Sequence, residues 1–453
     1  MNLFVKDKRL YRSFFSMTAV IAMQNLISFA VNLADNIMIG DYSQTALSGV
    51  AMVSQIQFML QMVILGIGSG ITVLGAQYWG KQQTKPIRKV TSAGMTLAIG
   101  VGVLFAAITF CFPDQTLSIL TNEPAVIAEG VKYMRIFCWS FPLYAITNTL
   151  LYSLRSVETV KVGFAVTLTA LFFNVFLNYC LISGNLGFPE MGVEGAAVAT
   201  LVSRIVEFLV VCIYVFFMDK KVCWKPGELF RLDKKLFRDY IRVGLPVILS
   251  ETLWGVASTT QTAILGRLGD DTIAANSIAT TIFGVISVIT YASANSAGVV
   301  IGKTVGEGDI PRVKAYTKTL QIIFVMIGVV TGAALWFSKD LVLGLYGSIT
   351  PQARELTVQF IAVLSVTVVG TSYQVACLPG IVTGGGDTKF VLINDTIHQW
   401  LIVIPGAYLS AFVFGAPLWF TFFCLKSDQI LKCFVAVVKV NRFRWIRRLT
   451  ESS

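Results

Sequence analysis

Asp35 lies in the stretch VNLADNIMIG, inside an apolar run long enough to cross a bilayer. An acid at the centre of such a helix costs about 2.5–3.5 kcal/mol on insertion scales. Its neighbours on one face are polar too: Gln24, Asn25, Ser28, Asn32, Asp35 and Asn36 recur at spacings of three and four, which lines them along one side of a helix. That side belongs in a bundle interior or a wet cavity, not against lipid. Further on, Asn174 and Asn178 are four apart in FFNVFLNYCLI, and Thr200 stands among small residues in GAAVATLVSRIVEF. A carboxylate with amide and hydroxyl oxygens is hard-cation chemistry, suited to Na⁺, or a proton site where burial keeps the acid neutral. The same amides and hydroxyls also serve as hydrogen-bonding glue between membrane helices, and the residue types alone weigh the two readings equally.

A second group of polar residues lies in the other half. Glu251, Trp254, Ser258 and Thr262 share one side of a helix in GLPVILSETLWGVASTT. Asp395 and the only histidine, His398, are three apart in NDTIHQWLIVIP, which makes them a candidate pair for coupling or substrate binding. Arg204 with Glu207, and Asp428 with Lys432, are spaced for same-helix ion pairs and read as scaffold. AGVVIGKT at residues 297–304 approaches a phosphate-binding loop, but Ala297 replaces its first glycine and the match ends an apolar span, not a strand.

The elements that must position these groups follow from composition. The chain has 453 residues, 55% hydrophobic and only 13% charged, with a mean hydropathy of +0.71. A soluble chain would carry about a quarter charged residues. An all-α integral membrane protein is expected. The net charge of +11 recurs in loops and makes no single patch, which argues against nucleic acid as a partner. The eight cysteines are scattered with no CxxC, so neither a disulfide framework nor a zinc site is expected. The basic start, MNLFVKDKRLYRSFF, leads into a run too long for a signal-peptide core, so no cleaved leader is expected.

Twelve spans are predicted, at roughly 14–39, 48–75, 91–112, 131–154, 163–184, 195–218, 243–267, 273–302, 317–337, 356–380, 390–413 and 417–438. Basic residues cluster in alternate loops: Lys6, Lys8, Arg9 and Arg12 before the first span; Lys81, Lys85, Arg88 and Lys89 after the second; DKKVCWKPGELFRLDKKLFRDYIR after the sixth; Arg312, Lys314 and Lys318 after the eighth; and NRFRWIRRLTESS at the end. The loops PDQTLSILTNEPAVIAEG and GNLGFPEMGVE carry no Lys or Arg. Basic loops remain cytoplasmic, so a multi-pass protein of the plasma (inner) membrane with both termini inside is expected.

The chain also repeats itself. Gly40 recurs as Gly266, Gly75 as Gly302 and Pro86 as Pro311, offsets of 226, 227 and 225 residues, half the chain. Six spans per half give the copies the same orientation, a transporter design with the substrate path between lobes. The expected organisation is an N-lobe at 1–218, a cytoplasmic linker at 219–242 and a C-lobe at 243–453, related by pseudo-two-fold symmetry. The offset sets Glu251 against Gln24, a polar group at the same depth in each lobe.

With these residues in place, the chain resembles the multidrug and toxic compound extrusion (MATE) family over nearly its whole length. The likeness rests on LADNIMIG, GLP opening the seventh span, LGRLGDDTIAA after it, IGKTVGEGD after the eighth, GFPEMGVEGAAVAT before the sixth and GGGDT after the tenth. It implies two six-helix lobes and export of organic, often cationic and amphipathic compounds against inward flow of Na⁺ or H⁺. Many bacterial members use an Asp in helix 1, an Asn and an Asp four apart in helix 5, and a Thr in helix 6; the matching positions are Asp35, Asn174, Asn178 and Thr200. Asn178 departs from the pattern and leaves one carboxylate in the set. Other members use a Glu in helix 7 and an Asp in helix 10; Glu251 lies in helix 7, but the tenth span has no internal acid.

The resulting expectation is an antiporter, not an enzyme, with no cofactor beyond the coupling ion, acting as a monomer in the bilayer on small organic substrates without an ATPase partner. Occupancy of Asp35 would change the packing of the first span and weaken substrate retention in the outward-open state. Two alternatives remain. A flippase for lipid-linked saccharides would favour more basic residues in the spans than Arg135, Arg204, Lys426 and Lys432. A membrane acyltransferase would have only Asp395–His398 to work with.

Overall fold

The computed structural model describes residues 4–228, 231, 233–345 and 350–450, and among these there are helices and no strands. Leu229, Phe230 and Leu232 of the expected linker, and the last three residues, lie outside the described residues. In the first half the helices are α1 (Lys8–Tyr42), α2 (Gln44–Gly80), α3 (Thr84–Cys111), the short α4 (Pro113–Ser118), α5 (Pro124–Phe137), α6 (Ser140–Ser156), α7 (Lys161–Leu181) and α8 (Gly192–Ile213). The second half holds α9 (Lys234–Gly266), α10 (Asp270–Ile286), α11 (Val288–Glu307), α12 (Ile310–Leu345), α13 (Pro351–Val375), α14 (Thr388–Thr396), α15 (Ile404–Tyr408), α16 (Leu418–Lys426) and α17 (Asp428–Asn441).

Every expected span falls on helix, but several are interrupted, each for a local reason. The fourth divides between α5 and α6 at Cys138–Trp139, just before Pro142, which has no N–H to give the preceding turn. The eighth bends by 46° between α10 and α11. There Ser287 donates its hydroxyl to the Phe283 carbonyl, a back-bond that bends helices. Ser427 does the same to Cys424 at 2.7 Å where the twelfth span divides into α16 and α17. The eleventh runs from α14 through wide π-helical turns at 397–403, ahead of Pro405, into α15 and a further wide turn at 409–413. Among the described residues, eight helices are long and apolar enough to cross a membrane unaided, and the α10–α11 pair makes a ninth. Phe217, Phe337 and Leu401 point their side chains outward, as lipid-facing residues must.

The helices gather into two compact units. The first comprises Met23–Gly75 and Gln83–Ile248; the second comprises Met1–Ala22, Ala76–Gln82 and Leu249–Ser453. In the first, α3 and α6 are joined by Thr91 and Ser153, whose hydroxyls lie 2.8 Å apart. Within the same unit Tyr240 of α9 donates to the Ile67 carbonyl of α2 at 2.8 Å. In the second, α13 and α16 meet through Phe360 and Phe422, stacked at 4.1 Å. The last turn of α2 crosses α11 so closely that a Cβ on Gly306 would lie 2.0 Å from the Gln77 carbonyl oxygen. Only glycine permits that approach.

The basic loops are tied down by charge. In the first unit Arg88 pairs with Glu228 at 2.9 Å and Lys89 with Asp233 at 2.8 Å. The Lys89 ammonium, together with the Leu236 N–H, holds the Asp233 carboxyl below the usual carboxylate range. In the second unit Asp387 is buried and accepts both Lys439, at 2.7 Å, and Arg447, at 2.9 Å. The segment after α17 turns back so that Trp445 is fully buried.

Candidate functional site

Asp35 sits nearly at the end of α1, and its side chain turns toward α7. Asn178 on α7 donates its amide to Asp35 Oδ1 at 2.5 Å and to Asn174 Oδ1, one turn earlier, at 3.3 Å. Asn174 in turn donates to the Thr200 hydroxyl on α8 at 3.5 Å. Thr200 returns its own hydrogen to the Ala196 carbonyl at 3.0 Å. The four polar groups thus form one chain across three helices of the first unit, with Tyr133 of α5, also buried, against Thr200. The four-residue spacing of Asn174 and Asn178 is what makes the chain possible, because both then face α1 and α8 together.

One atom of this set is unsatisfied. Asn178 Oδ1 is buried and accepts no hydrogen bond from the described residues. A buried carbonyl oxygen without a donor is costly, and beside a carboxylate it is a ready ligand for a cation. Arg204 on α8 lies in electrostatic reach of Asp35. Its guanidinium is engaged by Glu207 at 2.7 Å and rests over the Tyr144 ring at 5.0 Å, so the same-helix pair read from the sequence is formed.

The other members of the α1 stripe are placed differently. Gln24 lies against Gly163 of α7, close enough that a Cβ there would meet its Oε1 at 2.9 Å. Asn32 is exposed and stands outside the hydrogen-bonded chain.

In the second unit the geometry departs from what spacing suggested. Asp395 and His398 are not joined: His398 Nδ1 is 2.8 Å from the Asn394 carbonyl of its own helix. Asp395 instead takes Lys432 of α17 at 2.9 Å and the Ser250 hydroxyl of α9 at 3.0 Å. Lys432 is 3% exposed and also reaches Asp428 at 3.4 Å. Asp428 is held further by Gln399 and Gln429, each at 3.0 Å, and Gln261 of α9 donates to Gln399 at 3.1 Å. Glu251 is in electrostatic reach of Asp395 and Lys432. Trp254 is 39% exposed and takes no part. Ser250, Gln261 and Gln399 escaped the sequence reading; each is an intramembrane polar residue next to one that was singled out, and that adjacency was the available signal. Among the described residues no group of three or more His, Cys, Asp or Glu side chains is arranged to hold a metal ion.

Long apolar helices that bury linked carboxylates and amides at depth define a multi-pass membrane protein of the transporter class. The MatE family profile matches residues 21–180 and 246–409, and the chain belongs to that family of MATE transporters, which are not enzymes. Among curated relatives it is 26% identical over 440 residues to a probable multidrug resistance protein NorM of Listeria monocytogenes, covering 95% of this chain and 94% of that protein. A probable NorM of Rhizobium meliloti is 29% identical, covering 94% and 92%. Among solved structures, a MATE transporter in complex with MaL6 aligns with a TM-score of 0.85 at 19% identity, covering 97% of this chain and 98% of that one. A MOP superfamily transporter from Pyrococcus furiosus aligns with a TM-score of 0.87 at 19% identity, covering 98% of each. The fold is that of these transporters.

Proposed function

We propose that this chain is a multidrug efflux antiporter that exports organic, cationic or amphipathic compounds in exchange for inward Na⁺ or H⁺. The multidrug resistance names carried by its relatives support the export reading. The coupling assignment rests on one observation: Asp35 is linked through Asn178 to Asn174 and Thr200, and Asn178 keeps a buried oxygen without a donor. A cation or proton arriving at Asp35 neutralises the acid and gives that oxygen a partner. Either change alters how α1 is held against α7 and α8. Exchange follows if ion and substrate favour different states of the protein. The lobes divide as 1–218 and 243–453 about a cytoplasmic linker, both termini lie on the cytoplasmic side of the cell membrane, and the monomer is the working unit.

Asp35→Asn keeps the shape and removes the charge. The variant should insert and accumulate normally, because it breaks no ion pair that leaves a partner charge stranded. Gradient-driven efflux of a fluorescent cationic dye should fall to the level of cells without the transporter. Separate Na⁺ and H⁺ gradients in proteoliposomes then identify the ion. Efflux against a gradient by Asp35→Asn at normal membrane levels would overturn the assignment.

A further inference from the structure

The second unit buries an acidic cluster that already holds a cation of its own. Lys432 places its ammonium 2.9 Å from Asp395 Oδ1 and 3.4 Å from Asp428 Oδ2. The carboxylates are held around it by neutral donors: Ser250 donates to the other Asp395 oxygen, Gln399 to the same Asp428 Oδ2, and Gln429 to both Asp428 oxygens. Glu251 adds a third acid within electrostatic reach. These groups come from α9, from α14 with the wide turn after it, and from α17, all in one unit.

We propose that Lys432 is a built-in counter-cation: its ammonium holds the place between Asp395 and Asp428 that a diffusible monovalent cation would otherwise take, and so confines ion coupling to the Asp35 set. Three features carry this. An ammonium is a compact point charge with three hydrogen-bond donors, able to serve two carboxylates at once. The side chain is almost wholly buried, so the ammonium, rather than solvent, occupies the space between the two carboxylates. Two carboxylates on different helices converge on it, an arrangement that would be strongly repulsive with an apolar residue at 432. Because the cation is covalently tethered, it cannot be carried across the membrane, and a metal-cation gradient cannot drive transport through this site. The confinement of coupling rests on the Asp35 reading; the tethered cation itself does not.

The test uses the full-length transporter and thermal unfolding in NaCl, KCl, ammonium chloride or choline chloride at constant ionic strength. In an Asp35→Asn background, which removes the carboxylate of the Asp35 set, the midpoint should be the same in all four salts. Adding Lys432→Ala opens the second site. Asp35→Asn/Lys432→Ala should then gain several degrees in Na⁺, K⁺ or ammonium relative to choline, saturating with concentration. No difference between the small cations and choline would overturn the proposal. So would a small-cation dependence in Asp35→Asn alone that Asp395→Asn abolishes, since the cluster would then bind ions with Lys432 in place. If the double variant does not accumulate, Asp35→Asn/Lys432→Ala/Asp395→Asn should, because removing one acid with the lysine restores the charge balance; failure of that variant too would mean the lysine acts by shape and the proposal is wrong. If Asp35→Asn retains ion-driven efflux while the Lys432→Ala shifts appear, the Asp35 reading fails and the tethered cation stands.

Discussion

Asn178 carries the difference between this chain and the two-acid pattern its sequence resembles. Its amide nitrogen serves Asp35 and Asn174, and its oxygen serves nothing described. Asn178→Asp replaces the donor with a second negative charge. A unit charge about 4 Å from a bound cation contributes roughly 4 kcal/mol at an effective dielectric of 20, most of it offset by desolvation and by repulsion from the first acid. Half-saturating Na⁺ for transport or for thermal stabilisation should therefore fall by about tenfold, near 1.4 kcal/mol. An unchanged value would show that residue 178 is not a cation ligand. The Asp35 stripe could be found in the sequence because a lone acid in an apolar run is conspicuous and helical spacing identifies its companions. The Lys432–Asp395 pair could not. Asp428, one turn before Lys432, offers a sufficient local partner, and nothing in one sequence says that α14 and α17 lie side by side.

Among the elements, the segment after α17 was read only as a basic tail, yet it is a packed part of the second unit. Trp445 is fully buried beside Gly385, where a Cβ would lie 2.2 Å from the indole ring. The Gly385 carbonyl accepts the Arg447 N–H at 2.8 Å, and the Arg447 carbonyl accepts from Gln77 at 3.1 Å. The turn GGGDT is legible from its glycines, one of which, Gly386, has φ +99°. Its partner is not legible, because Trp445 owes its burial to a contact 60 residues away along the chain. Trp445→Ala should remove about 3–5 kcal/mol of packing. Gly385→Ala should cost about 1–3 kcal/mol by overpacking. Both act on the tail first, so trypsin should cut at Arg442, Arg444, Arg447 and Arg448 faster in either variant, with the rest of the protein intact. Tail cleavage at the parent rate in both would mean that Trp445 does not hold the segment.

For the whole molecule, the sequence revealed where the apolar helices lie and in what order, because hydropathy and length suffice for that; of the twelve expected spans, eight described helices, and a ninth as the α10–α11 pair, are long and apolar enough to cross a membrane. It did not reveal the breaks at Cys138–Trp139, Ser287 and Ser427, which depend on single prolines and serine back-bonds. Orientation is the remaining whole-molecule property, and two native cysteines report on it. Cys223 is exposed in the segment whose neighbours Lys220, Lys221 and Lys225 are expected in the cytoplasm. Cys111 is exposed at the end of α3, next to a loop without Lys or Arg that is expected outside. Basic loops resist translocation, whereas a loop without Lys or Arg crosses. Two variants, each retaining one of these cysteines and Ser at the other, separate the two sides. An impermeant maleimide applied to intact cells should label the variant that keeps Cys111. The variant that keeps Cys223 should react only after the membrane is opened. Rapid labelling of Cys223 in intact cells, with Cys111 protected until permeabilisation, would invert the topology, place both termini outside and reverse the direction in which Asp35 meets its ion.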